Sequence, residues 1–210
     1  MRYPLGVTIL ILALLPGCAT RPKRIPLQTK ATTYTAGATT KVTDVQVKVS
    51  DGRANRSLDS VLARSASEEV SSAIRKALLA SKVVLVDADA HATLEVECKL
   101  ARLDWVVPEY EALLKRATAA RLLTGMIGAI AYESSSVFVQ GNAVLQLNVT
   151  QSGQGVFTRD YVGFCEEYLA KWDCDTKETK SRLAGSALSN AVEKFLKDLD
   201  QFPTVESSGK

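Results

Sequence analysis

The segment TLEVECKLARL, residues 93–103, restricts the fold more than any other part of this 210-residue chain. Leu94, Val96, Cys98 and Leu100 fall on one side of an extended backbone, and Glu95, Glu97 and Lys99 fall on the other. A long strand with one apolar and one charged face belongs to a sheet that is covered on one side and wet on the other. The same period of two recurs elsewhere. Val45, Val47 and Val49 alternate with Gln46 and Lys48 before the turn-forming Ser50-Asp51-Gly52. Residues 83–86 are a short β-branched run. NAVLQLNVT alternates again, QSGQG supplies a hairpin loop, and VFTRDYVG returns, which predicts two long antiparallel strands.

Cover for such a sheet comes from segments with a helical period. Leu62, Ala66, Val70, Ile74 and Leu78 recur every four residues, and Ser65-Ala66-Ser67-Glu68 has the form of a capping box. A helix is therefore expected to start between Leu58 and Ala66. A last helix is expected over residues 179–199, with Leu183, Ala187, Leu188, Ala191, Phe195 and Leu199 on one side. Pro108 stands where a first helical turn tolerates proline, and Glu109 and Glu111 follow where the helix dipole favours acids. This predicts a helical insertion reaching about Tyr132. The order is strand, helix, two strands, insertion, two strands, helix. It predicts an α+β fold: an antiparallel sheet packed by amphipathic helices, with an apolar helical insertion. Residues 41–202 are of the size of one domain with one core, and residues 203–210 read as a disordered tail.

The amino-terminal part has another purpose. Arg2 precedes an uncharged apolar run over residues 7–15, too short for a membrane span and laid out as a secretory signal. Leu15-Pro16-Gly17-Cys18 resembles the bacterial lipobox, in which the cysteine becomes the acylated first residue of the mature protein. That resemblance implies a signal peptide over residues 1–17 and lipidation at Cys18. Several acyl chains hold a protein on a membrane where one would not. Ala19, rather than an aspartate, implies the outer membrane and its periplasmic face. Residues 18–40 are rich in Thr, Ala, Pro, Lys and Gly and read as a flexible tether.

Charge follows the same division. The whole chain carries 26 basic and 23 acidic residues, but five of the basic ones lie before residue 41 with no acid among them, leaving 21 against 23 beyond it. A near-neutral body gives no basic nucleic-acid surface. The early basic residues either meet anionic phospholipid or are a solvated linker.

Taken together, the lipobox, the strand 93–103 leading out of a helix, the hairpin around residues 151–155 and the closing helix resemble small outer-membrane lipoproteins. The YajG-like proteins are one such group. More distant are the lipopolysaccharide-assembly lipoprotein and the auxiliary lipoproteins of lipid-transport ABC systems. The insertion departs from the first two patterns and resembles the small-residue apolar segments of TraT-like lipoproteins. No active-site residue carries over.

Catalytic chemistry has little to work with. His91 is the only histidine, and no nucleophile elbow, P-loop or dinucleotide fingerprint occurs. Asp87, Asp89 and His91 alternate, but they read better as a polar turn than as a metal set, since no fourth ligand is suggested. Glu68-Glu69 and Glu166-Glu167 are adjacent pairs whose side chains diverge, as on solvated faces. No catalytic residue, cofactor or metal is expected.

Three cysteines remain once Cys18 is acylated. Cys98 sits on the inward face of a strand, as a small buried apolar residue. Cys165 and Cys174 bracket a short segment; a bridge between them is expected in an oxidising compartment, where it would contribute roughly 2.5–3 kcal/mol. The other reading is two reduced thiols. The insertion contains LLTGMIGAIAY, residues 122–132, eleven residues without charge. As a helix it would rise about 16 Å, short of a bilayer core of about 30 Å. It is either a core helix or a membrane or oligomer contact made by Leu122, Leu123, Met126, Ile127 and Ile130. The expected function is a non-catalytic outer-membrane lipoprotein that docks envelope proteins or associates with itself. The alternative is a lipid-handling or transport accessory.

Overall fold

The computed structural model describes residues 23–37, 39–87, 91–108 and 136–201. Strand β1 (Thr40–Val42) and strand β2 (Asp44–Asp51) lead through a 3-10 turn at Ser57–Ser60 to helix α1 (Ala66–Ala80). Then come β3 (Val84–Val86), β4 (Thr93–Val106), β5 (Ser136–Gln151) and β6 (Gln154–Ala170). A short helix α2 (Lys171–Cys174) and a long helix α3 (Lys177–Gln201) follow. The main sheet has the order β2-β4-β5-β6, and β1 and β3 form a small parallel pair beside it.

The α+β class stands as the alternation implied, with one refinement. β4, β5 and β6 are antiparallel, but β2 pairs with β4 in parallel, Val47 opposite Val96. The reason is α1, which carries the chain back along the sheet so that β4 must run in the same direction as β2. Helix α1 begins as its sequence prescribes. The Ser65 hydroxyl accepts from the Glu68 amide, and the Glu68 carboxylate accepts from the Ser65 amide.

Leu94, Val96, Cys98 and Leu100 point into the core with Leu145, Leu147 and Val149 of β5. A bulge between Leu100 and Arg102 shifts the register so that Leu103 turns inward. Helix α3 lies under β5 and β6 at very short range. A Cβ on Gly163 would stand 2.0 Å from the Ala187 carbonyl oxygen, and one on Gly141 would stand 2.3 Å from that of Leu183. Only glycine in the sheet lets the helix backbone come so near.

The flexible tether expected over residues 18–40 is corrected by the structure over residues 23–37. This segment is an extended strap laid along α3. Its Leu27 is buried, Ile25 bridges to Leu62, and Ser181 holds it twice, donating to the Pro26 carbonyl and accepting from the Gln28 amide. The Lys30 amide donates to the Ser189 hydroxyl, and the Tyr34 hydroxyl bonds the Asp200 carboxylate. Ser181, Gly185 and Ser189 stand four residues apart on one helix face. Their small size makes the bed, and their hydroxyls satisfy the backbone of a strap that belongs to no sheet.

The segments 1–22, 109–135 and 202–210 lie outside the described residues. So do Cys18, the whole apolar stretch with Leu122, Leu123, Met126, Ile127 and Ile130, and the expected tail. No described helix is long and apolar enough to cross a membrane.

Candidate functional site

The fold collects several chain features at one end of the main sheet. β4 finishes there at Val106, β5 begins at Ser136, and β6 finishes at Ala170, which pairs with Ser136. Helix α2 follows at once, and α3 starts three residues after it. The strap begins here too, because the Lys177 ammonium donates to the Lys23 carbonyl at 3.2 Å. Cys18 therefore precedes Lys23 by five residues of sequence. The insertion also leaves and re-enters the described fold here, between Pro108 and Ser136.

Trp105 fixes this end. Its indole nitrogen donates to the Cys174 carbonyl at 3.0 Å, and the Lys180 ammonium lies 4.2 Å from its ring centre while pairing with Asp175 at 2.7 Å. Val137, Val139, Leu183 and Cys174 form a small apolar cluster beneath, with Trp105, Cys165 and Leu169 against it.

The expected Cys165–Cys174 bridge is not formed: both are free thiols. The sequence spacing correctly puts them in one neighbourhood, but the Cys174 thiol turns to the Lys171 carbonyl at 2.9 Å, a local bond within its own helical turn. Burial and the neighbouring Asp175 push the Cys174 thiol above its usual range. Cys98 is deeper still, and burial pushes its thiol up to about 12.

The uncovered face of the sheet is polar along most of its length. Glu97 lies opposite Lys48, Gln146 donates to Asp160, and Gln140 donates to Glu166. Near the end where the strap begins, this face changes character. Tyr168 is 75% exposed and stacks at a tilt on Phe138, with ring centres 5.4 Å apart; Trp172, on α2, is 60% exposed. Phe164 and Val162 continue the strip along β6. β6 is an edge strand, and α3 guards its middle: Asn190 donates to the Phe164 carbonyl and Lys194 to the Val162 carbonyl, both at 2.7 Å. The sequence reading did not single out Tyr168 and Trp172. The signal was present as two large aromatics within five residues at the end of an alternating segment, on its polar side.

The acidic pairs take separate partners. Glu68 caps α1, Glu69 binds Arg64 in a bidentate pair, Glu166 accepts from Gln140, and Glu167 pairs with Arg182. Asp87 sits 3.8 Å from Lys41, and Asp89 lies outside the described residues. Among the described residues no group of three His, Cys, Asp or Glu is placed to hold a metal.

A cleft of about 380 Å³ opens between the strap at residues 29–33, α1 and α3. Ala73, Ala77 and Val192 line it together with Lys76, Ser189 and Glu193. Its volume falls at the low end of small-ligand sites, and its mouth is charged.

No protein-family model matches the chain, and no curated protein is significantly similar to it. Among solved structures, protein XCC0632 from Xanthomonas campestris, of family DUF330, is a distant neighbour. It has 11% identity and a TM-score of 0.45, over 85% of this chain and 93% of that one.

Proposed function

We propose that this protein is a non-catalytic, lipid-anchored module of the bacterial outer membrane, facing the periplasm and docking other envelope proteins, in the manner of YajG-like lipoproteins. The observation that carries the reading is the lipobox at Leu15-Pro16-Gly17-Cys18, followed within five residues by a strap bonded to the body of the domain. Acylation of Cys18 would fasten a folded domain to the membrane by a very short connection. The test is fractionation with mass analysis. Cys18→Ala is expected to yield an unacylated protein missing from the outer-membrane fraction, and crosslinking of the wild-type chain is expected to retain envelope proteins. Wild-type protein without a lipid adduct would remove the anchor from this reading.

A second reading, a lipid-handling accessory, draws support from the cleft beneath the strap. Lys76 and Glu193 at its wall suit a polar group better than an acyl chain. Lipid that copurifies with the protein, identified by mass spectrometry, would favour this reading over docking.

A further inference from the structure

The geometry points to a membrane-facing pole: the end of the sheet carrying Tyr168 and Trp172 rests on the phospholipid headgroup layer. This inference deepens the lipid-anchored reading and depends on it. Three observations meet at that end.

The first is the reach of the chain. Lys23 is held to Lys177, so only five residues separate the body of the domain from Cys18. Fully extended, they span at most about 17 Å. A free tether from Cys18 to Thr40 would allow any orientation. The strap removes that freedom by fixing the chain at this end, and the opposite end, with the β5–β6 hairpin, cannot be the one nearest the membrane.

The second is the kind of surface offered there. Tyr168 and Trp172 are the two most exposed large apolar side chains among the described residues. Tyrosine and tryptophan each present an apolar body and a polar tip, the combination that suits the boundary between headgroups and acyl chains. Phe138 backs Tyr168, and Trp105 with Lys180 and Asp175 braces the turn that carries Trp172. The aromatics are thus held out on a rigid base.

The third is charge. Lys23, Arg24, Lys171 and Lys177 stand at this end against Glu166, Asp173 and Glu178, while Lys180 and Arg182 are taken up by Asp175 and Glu167. The balance is close to neutral and slightly basic. It admits an anionic leaflet without depending on one, so the aromatic pair and the short connection decide the orientation.

The two tryptophans make the test selective, because Trp172 is exposed at the pole and Trp105 lies behind it. The full-length acylated protein is placed in phosphatidylethanolamine–phosphatidylglycerol vesicles, with and without bromine on the acyl chains near the headgroup. Bromolipid is expected to quench the Trp172 emission, and Trp172→Phe is expected to abolish the quenching while Trp105 emission stays the same in both vesicles. Equal emission from the acylated wild-type protein in both vesicles would overturn the inference and leave the anchor intact; a protein partner covering the pole would give that result. Quenching that persists in Trp172→Phe would also overturn it. A protein without a lipid adduct by mass would overturn the anchored reading and this inference with it.

Discussion

A Cβ on Gly185 would lie 2.1 Å from the carbonyl oxygen of Gln28. This single approach joins the strap to helix α3, with Ser181 and Ser189 bonding the strap one turn to either side. Glycine costs a helix interior up to about 1 kcal/mol relative to alanine, so its presence here reflects the neighbour it must admit. Gly185→Val is expected to displace the strap and to lower stability by about 1–3 kcal/mol. Trypsin should then cut after Arg24 and Lys30 faster than in the wild-type protein. Unchanged cleavage there would mean that the strap does not depend on this contact.

Arg53 is buried and clasps Asp51 in a bidentate pair at 2.9 Å on each arm, with a further bond to Asp59 at 2.7 Å. The guanidinium holds the Asp51 carboxyl at about 2, below its usual 3.8. A lowered carboxylate pKa stabilises the fold above the unfolded value, so this contribution is present above about pH 4 and disappears as pH falls toward 2. Asp51 is exposed to solvent, and screening holds this contribution to about 1 kcal/mol or less. Asp51→Asn is expected to lose that amount at neutral pH and to flatten the acid limb of a denaturation series. An unchanged slope between pH 4 and 2 would assign the acid sensitivity to other carboxylates.

Ser65→Ala removes the side-chain half of the α1 capping box and should cost about 1 kcal/mol, seen as a fall of roughly 3 °C in melting temperature. Ser67→Ala removes only the 3.2 Å contact between the Ser67 and Ser65 hydroxyls and leaves both bonds between Ser65 and Glu68 in place, so it is expected to cost less.

Cys165 and Cys174 line one apolar cluster but are not bonded. Burial and Asp175 raise the Cys174 thiol pKa, so its alkylation is expected to be slow at neutral pH and faster as pH rises. Peptide mapping without reductant should find Cys165 and Cys174 each alkylated and not crosslinked. A crosslinked peptide would overturn the free-thiol assignment.

The strands were legible because their side chains obey a strict period, and the start of α1 was legible because Ser65 and Glu68 form a local device. The strap was not. Thr, Ala and Pro in residues 23–37 have the composition of a linker, and the partners that order them, Ser181, Gly185 and Ser189, lie more than 150 residues away. What composition concealed was a groove, visible only as a second stripe of small residues on a helix already assigned an apolar face. The parallel pairing of β2 was concealed in the same way, since periodicity reports faces and not directions. At the candidate pole, the cysteines were legible by spacing, whereas Tyr168 and Trp172 acquire meaning only from the end of the sheet to which the strap delivers the amino terminus.

The bonds between Gln28 and Ser181 and between Lys30 and Ser189 bring together nearly the first and nearly the last described parts of the chain, separated by 153 and 159 residues. Helix α3 is also the cover for β5 and β6 and the guard on the β6 edge, so the inner face of those two strands stays open until it is made. A chain threaded through a membrane from its amino terminus would remain open until its final helix emerged. A copy cut short before residue 177 is accordingly expected to be no smaller domain but an unfolded substrate for proteases, which makes the completed fold a check that the whole chain has arrived.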